Sequence, residues 1–244
     1  GEDATWDVFL SYRVDSDLNH AEMLFHAMTK KGLNVWWDRA CLSPGHNWET
    51  GFCNGLLTSA NFVCVLSRGA INSDSNHFHN FQHATEDWRC DNVLLEWRMA
   101  LELKERGMLQ GIFPVMIGDE IDTGIYSNYF KSGCHPQILP DVNIISVEMK
   151  LRNYLDQHGL GLPYIDKMSV KDTVDSILKN QGGFIRDKID MSIQTITSEI
   201  KDMHTDNADT HSFSSVASRR YLERSSNCSI SGSLMDRPRS STCI

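Results

Sequence analysis

The side chains best placed to do chemistry lie in four short blocks. The first is DVFLSYR, Asp7 to Arg13, an apolar run that ends in a hydroxyl, a phenol and a guanidinium. In a parallel sheet, ligands collect at the carboxyl ends of strands, where strand order switches. Ser11, Tyr12 and Arg13 would stand at such an end. The fork of Arg13 suits a phosphate or a carboxylate, and a strand-end Arg in water is the plainer outcome. The second block, Val35 to Glu49, carries Asp38 and three indoles, Trp36, Trp37 and Trp48. One of them could stack on a ring-shaped ligand, although strand alternation commits at least one of Trp36 and Trp37 to the core. The third block, Asn61 to Ile71, offers Ser67 as a helix-capping hydroxyl. The fourth, WRCDNVLLEWRMALEL from Trp88 to Leu103, holds Glu96 four residues after Asn92. Taken alone, a carboxylate one turn into a helix most often meets solvent or the helix dipole.

Two other clusters carry less. His77, His79 and His83 lie near Asp74 and Asp87, and imidazoles so close could hold a transition metal. A loop with no paired Cys and no fixed supporting shell is a weak metal site. The seven cysteines are odd in number and form no CxxC pair, which points away from a disulfide framework or a zinc site. This usage fits a reducing, cytoplasmic compartment.

The elements that must position these blocks follow from periodicity. Short apolar runs alternate with helix-period stretches, the pattern of a parallel sheet wrapped by helices. Strands are expected at Trp6–Tyr12, Leu33–Trp37, Asn61–Leu66, Ile112–Ile117 and Val142–Val147. The continuously apolar third run suits a central strand buried on both faces. Asp17 is expected to cap a helix whose apolar face is Leu18, Ala21, Leu24, Phe25 and Met28, with Gly32 as its left-handed stop. A strong helix is expected over Asn92–Arg106, and closing helices at about Met149–His158 and Val170–Asn180. Residues 72 to 91, rich in His, Asn, Asp and Ser, read as a loop insertion.

Beyond Gly182-Gly183, the residues Ile189, Ile193, Ile196, Ile200 and Met203 are spaced 4, 3, 4, 3. This is a heptad seam of about two repeats, either one more helix packed on the domain or an oligomerising helix. From 206 the chain turns Ser- and Arg-rich and is expected to be disordered. The partition is therefore a domain over 1–160, a closing helix within 161–182, an amphipathic or short coiled-coil helix within 183–205, and a tail over 206–244.

The formal net charge of −9 over 244 residues argues against nucleic acid and against an anionic membrane surface as partners. No apolar run is long enough to span a bilayer in this segment. The chain opens on Gly1, so a segment of a longer protein is expected, with any targeting signal or anchor outside it. An acidic pair after the first strand and an Asp ending the third would mark a phospho-receiver domain. The third run ends Leu66-Ser67-Arg68 instead. No GxGxxG follows the first strand, which disfavours a Rossmann dehydrogenase.

The four blocks, in this order and spacing, resemble the TIR (Toll/interleukin receptor) family. DVFLSYR resembles its first signature box. Leu42-Ser43-Pro44-Gly45 with Trp48-Glu49 resembles the loop after its second strand, and FVCVLSRGAI its third strand and following turn. DNVLLEWRMAL resembles the helix carrying the Glu of enzymatic members, and FPVMIGD, Phe113 to Asp119, the fourth strand. The resemblance covers about residues 5 to 160. It implies a flavodoxin-like five-stranded parallel sheet flanked by helices, here with a C-terminal helical extension and tail.

Enzymatic members cleave NAD+ between ribose and nicotinamide, and some cyclise the ADP-ribose product. The resemblance thus implies NAD+ as substrate rather than cofactor, with no resident cofactor or metal, and self or other TIR domains as partners. Glu96 would be the catalytic carboxylate. Trp37 or Trp48 would wall the nicotinamide, Arg13 would neutralise the pyrophosphate, and Asp38 would hold the loop. Tyr12 and the loop's Gly45 complete the substrate-facing set. Two positions depart from an animal enzyme of the family. An aromatic stands four before its Glu where this chain has Asn92, and a loop lysine is replaced nearest by Cys41. The alternative implied is a non-catalytic adaptor, recruiting other TIR domains through the loop from Asp38 to Trp48.

Overall fold

The longest strand organises the molecule. β3, Ser59–Leu66, is buried at all eight positions. β1, Trp6–Ser11, runs parallel to it, with Val8 against Asn61 and Ser11 against Cys64. On the other side of β3 lies β4, Gly111–Met116. The edges are β2, Val35–Trp36, beside β1, and β5, Phe184–Ile185, beside β4. The order is β2-β1-β3-β4-β5, parallel throughout. The computed structural model describes residues 5–42, 48–73, 79–117, 139–180, 184–185 and 196–202, with backbone alone at 48–50 and 184–185.

Alternation along the strands sorts the core into two layers. Phe9, Trp36, Phe62, Cys64 and Leu66 face one side, where they pack with α3 (Trp48–Leu57), α5 (Asn92–Glu105), α6 (Ile145–Gln157) and α7 (Val170–Lys179). Val8, Leu10, Tyr12, Val63, Val65 and Val115 face the other, against α1 (Val14–Lys30). Ile196 and Ile200, in a helical segment over 196–202, are fully buried in this second layer. These two members of the heptad seam pack on the domain. Ile189, Ile193 and Met203 lie outside the described residues, as does the tail from 206.

Two expectations are corrected. The run Val142–Val147 is not the fifth strand: α6 begins at Ile145 and buries Val147, Leu151, Tyr154 and Leu155. That 4-7-8 spacing is helical and overrides the local β-branched preference. The fifth strand is instead Phe184–Ile185, only two residues long and so without a periodic signal. Asp17 does not cap α1. Arg13 holds the N-cap position, and Asp17 is buried one turn in, accepting from Ser16 Oγ at 2.9 Å. Gly32 does close α1, at φ 87°, a conformation that side-chain-bearing residues rarely adopt.

Two minor helices shape the ends of the strands. α2, Asp38–Cys41, follows β2 directly, and α4, Arg68–Ile71, follows β3. Ser67 caps α4, its Oγ accepting from the Ala70 amide at 3.0 Å. Within the insertion, Asn72 and Asn80 form an antiparallel bridge, and a 3-10 turn over Phe81–His83 sinks Phe81 fully into the core. Among the described residues no helix is long and apolar enough to cross a membrane.

Candidate active site

The connection leaving β1 runs to β2 on one side, while β3 lies on the other. The carboxyl ends of β1 and β3 therefore flank the switch point, where open α/β sheets bind ligands. Ser11 ends β1 on the same face as Phe9, looking toward α5. That helix is positioned by its start. Asp91 is the N-cap, with Oδ1 accepting from the Leu94 amide at 2.9 Å. Val93, Leu94, Leu95 and Trp97 then anchor the helix in the core, so the half-buried Glu96 has one direction left, toward the strand ends.

There Ser11 Oγ donates to Glu96 Oε2 at 2.6 Å, a short hydrogen bond. Glu96 is pushed up to about 8, chiefly by burial, with Asp38 and Asp91 acting in the same sense. Ser11 and Arg13 pull it the other way. A carboxyl so placed sits near neutrality, where small changes in local charge decide whether it is ionised.

A cleft of about 310 Å³ opens beside Glu96. This is the lower end of the range for small-molecule sites. Phe9, Trp36, Leu42 and Phe52 give it an apolar lining, Asn92, Val93 and Glu96 contribute from α5, and Tyr12 and Asp38 come from the ends of β1 and β2. Asp15 and His79 also line it, with His79 Nδ1 3.1 Å from an Asp15 oxygen. Burial, then Arg13, pushes the His79 imidazole downward, toward its neutral form. The combination of an apolar lining, a carboxyl poised near neutrality and further carboxylates suits a ligand with a flat, electron-poor end.

The expected site residues separate into three groups. Glu96, Tyr12, Arg13 and Asp38 do come together around the cleft. Tyr12 OH donates to Asp38 Oδ1 at 2.9 Å, tying the end of β1 to the start of α2. The phenol is pushed up to about 12, by burial first and then by Asp38. Trp37 is turned away: it lies in the α1-side layer between Tyr12 and Phe25, and the indole lining the cleft is Trp36, stacked on Phe9 at 4.5 Å. The alternation that separates neighbouring strand residues sends these two indoles to opposite faces. Gly45 lies outside the described residues, and only the backbone of Trp48 is described, at the start of α3.

Arg13 has a different employment from the phosphate contact expected of it. Its Nη1 donates to Asp91 Oδ2 at 2.6 Å, and its Nη2 to Asp91 Oδ1 at 3.2 Å and to the Ala70 carbonyl at 2.9 Å. Both side chains of this pair are almost wholly buried. Asp91 was not among the expected site residues. Its signal in the sequence was the N-cap position before a strong apolar helix. Of the histidine cluster, His77 lies outside the described residues and His83 is exposed, while His79 meets Asp15. Among the described residues no group of three acidic, His or Cys side chains could hold a metal ion.

The family model of the TIR domain matches residues 8–133, just over half of the chain. No curated protein matches it. Among solved structures, the TIR domains of the activated Roq1 resistosome directly recognizing the pathogen effector XopQ align at 17% identity and a TM-score of 0.48. That alignment covers 80% of this chain and 99% of theirs. A TIR-STING receptor from C. gigas in complex with 2',3'-cGAMP aligns at 17% identity and a TM-score of 0.31, over 47% of this chain and 30% of its own. A second structure of such a receptor from C. gigas aligns at 15% identity and a TM-score of 0.32, with 62% and 40% covered. The matched segment runs from β1 through α5 and β4, and so takes in Ser11, Arg13, Asp38, Asp91 and Glu96; on that match the chain belongs to the TIR domain family.

Proposed function

We propose that this domain hydrolyses NAD+ to nicotinamide and ADP-ribose, linear or cyclised, when it associates with itself or with other TIR domains in a cytoplasmic signalling role. The observation that carries the reading is the Ser11–Glu96 contact at the switch point, which fixes a carboxyl beside an apolar cleft. The cleft's lining suits the nicotinamide, with the indole of Trp36 as the aromatic surface in place of Trp37.

The chemistry asked of the protein is modest. The bond between ribose C1′ and the pyridinium nitrogen breaks, and its electron pair goes to the nitrogen, so nicotinamide leaves as a neutral ring. Positive charge builds on the ribose, as in glycoside hydrolysis. The Glu96 carboxylate stabilises that charge where it develops, and Ser11 holds the carboxylate in place. Water then adds its oxygen to C1′ and gives up a proton, or an adenine nitrogen closes the ring instead. A cationic pyridinium in the cleft favours the ionised form of Glu96, opposing the burial that raises its midpoint. Tyr12 and Asp38 keep the start of α2 at the cleft edge.

The test is to cluster the purified chain on beads with NAD+ and chromatograph the products. Nicotinamide appearing in step with ADP-ribose or its cyclic form supports the reading; intact NAD+ after prolonged incubation with folded, associated protein rejects it and favours the adaptor role.

A further inference from the structure

We infer that Arg13 and Asp91 form a positioning couple for Glu96, joining the end of β1, the short helix α4 and the first turn of α5 through one buried fork. This rests on the reading of Glu96 as the reacting carboxylate. The argument begins with Asp91, whose Oδ1 serves two donors at once, the Leu94 amide at 2.9 Å and Arg13 Nη2 at 3.2 Å. The cap that starts α5 is thus also a ligand of the arginine. Arg13 follows Ser11 by two residues, and Glu96 follows Asp91 by five. The fork and the Ser11–Glu96 bond are two rungs between the same two elements. A third contact, from Nη2 to the Ala70 carbonyl, and the Phe81 ring 5.7 Å from the guanidinium carbon fix the arginine from the β3 side.

Geometry of this kind is bidentate and planar, which a lysine cannot reproduce. It also explains why an arginine beside a ligand cleft is spent on a carboxylate. An unpaired guanidinium here would favour the ionised form of Glu96, and an unpaired Asp91 would oppose it. The pair balances the two. The other groups facing Glu96 are Asp38 from α2 and Cys64 from β3, with Ser11 from β1 and, across the cleft, Asp15 from α1 and His79. Cys64 is a thiol whose ionisation burial suppresses, so it adds no charge. Asp38 is the one other acid that raises Glu96, and Arg13 the one cation that lowers it, among the described influences.

The test reads the Glu96 side-chain carboxyl by carbon NMR, assigned by its disappearance in Glu96→Gln, alongside nicotinamide release. Asp91→Asn keeps a competent cap but removes the countercharge from Arg13. The Glu96 midpoint should fall by about one pH unit, and the pH dependence of kcat/KM should move with it. Arg13→Lys keeps a cation but not the fork. Its kcat should drop about tenfold through misplacement of the α5 turn, with KM little changed and the Glu96 midpoint close to the parent's. A pair that served stability alone would lower the melting temperature and leave the midpoint and kcat of the folded fraction untouched; either result in a folded variant overturns the inference. If Asp91→Asn does not fold, Arg13→Lys carries the test by its kcat and midpoint. Because the titration requires no turnover, a silent parent in which the midpoint still shifts defeats the NAD+ reading and not the electrostatic couple. A releasing parent with an unmoved midpoint defeats the couple alone.

Discussion

At the residue scale, the site turns on one carboxyl raised into the neutral range by burial and by Asp38 and Asp91. If its ionised form acts in the free enzyme, kcat/KM should climb about tenfold per pH unit below the midpoint and level off above pH 8, a profile measurable by initial rates from pH 5 to 9. A flat profile would mean that another group limits the reaction. The same shift has a stability consequence of opposite sense. Between its ordinary value of 4.5 and about 8 the folded protein holds a proton on Glu96 that the unfolded chain releases, so folding weakens as pH rises through that window. Glu96→Gln lacks this dependence. Its melting temperature should exceed the parent's by a margin that grows from pH 5 to 8 and then stays constant; a margin independent of pH would contradict the assigned cause. Tyr12→Phe should leave the fold intact and raise KM severalfold, because it frees Asp38 from its 2.9 Å bond and loosens the cleft edge. An unchanged KM in steady-state kinetics would show that the tie does not matter to binding.

At the element scale, the site depends on how tightly helices pack behind it. Gly55 in α3 lies under Trp36, and a Cβ there would stand 2.3 Å from the indole carbon Cε2. Gly55→Ala therefore forces Trp36 and its stacked partner Phe9 to move, costing about 1–3 kcal/mol as read by denaturant unfolding and displacing part of the cleft lining. A variant of parental stability would place Trp36 differently from the arrangement described. The same scale shows what the sequence could convey. The long elements were legible because period and length agree: β3 is continuously apolar from Phe62 to Leu66, and α5 repeats its apolar positions over four turns. Glu96 was legible only through the order and spacing of four blocks, since a helical glutamate has no mark of its own. The fifth strand was misread because Val142–Val147 satisfies local β preference while its helical spacing to Leu151 and Leu155 decides the outcome. The role of Arg13 was hidden for a different reason: whether a guanidinium meets a ligand or an aspartate 78 residues away is a tertiary fact. Trp36 and Trp37 could be told apart only once the sheet had assigned a face to each.

At the scale of the whole molecule, the parallel sheet brings residues from distant blocks to one end, with the switch point between β1 and β3 deciding which end residues meet. The structured unit reaches past the family-matched segment. α7 packs in the α5 layer, β5 extends the sheet beside β4, and Ile196 and Ile200 fill the α1-side layer. Ile200→Ala should accordingly cost about 2–5 kcal/mol in denaturant unfolding, like other buried aliphatic truncations, whereas a change under half of that would detach the 196–202 helix from the core. The central claim concerns the assembled protein, and the measurement that reaches it most directly is nicotinamide release from NAD+ by the clustered chain beside Glu96→Ala at matched folding and association. The account predicts release by the parent and a loss of at least about a hundredfold in the variant; equal release by both, or a parent that associates and leaves NAD+ intact, would contradict it.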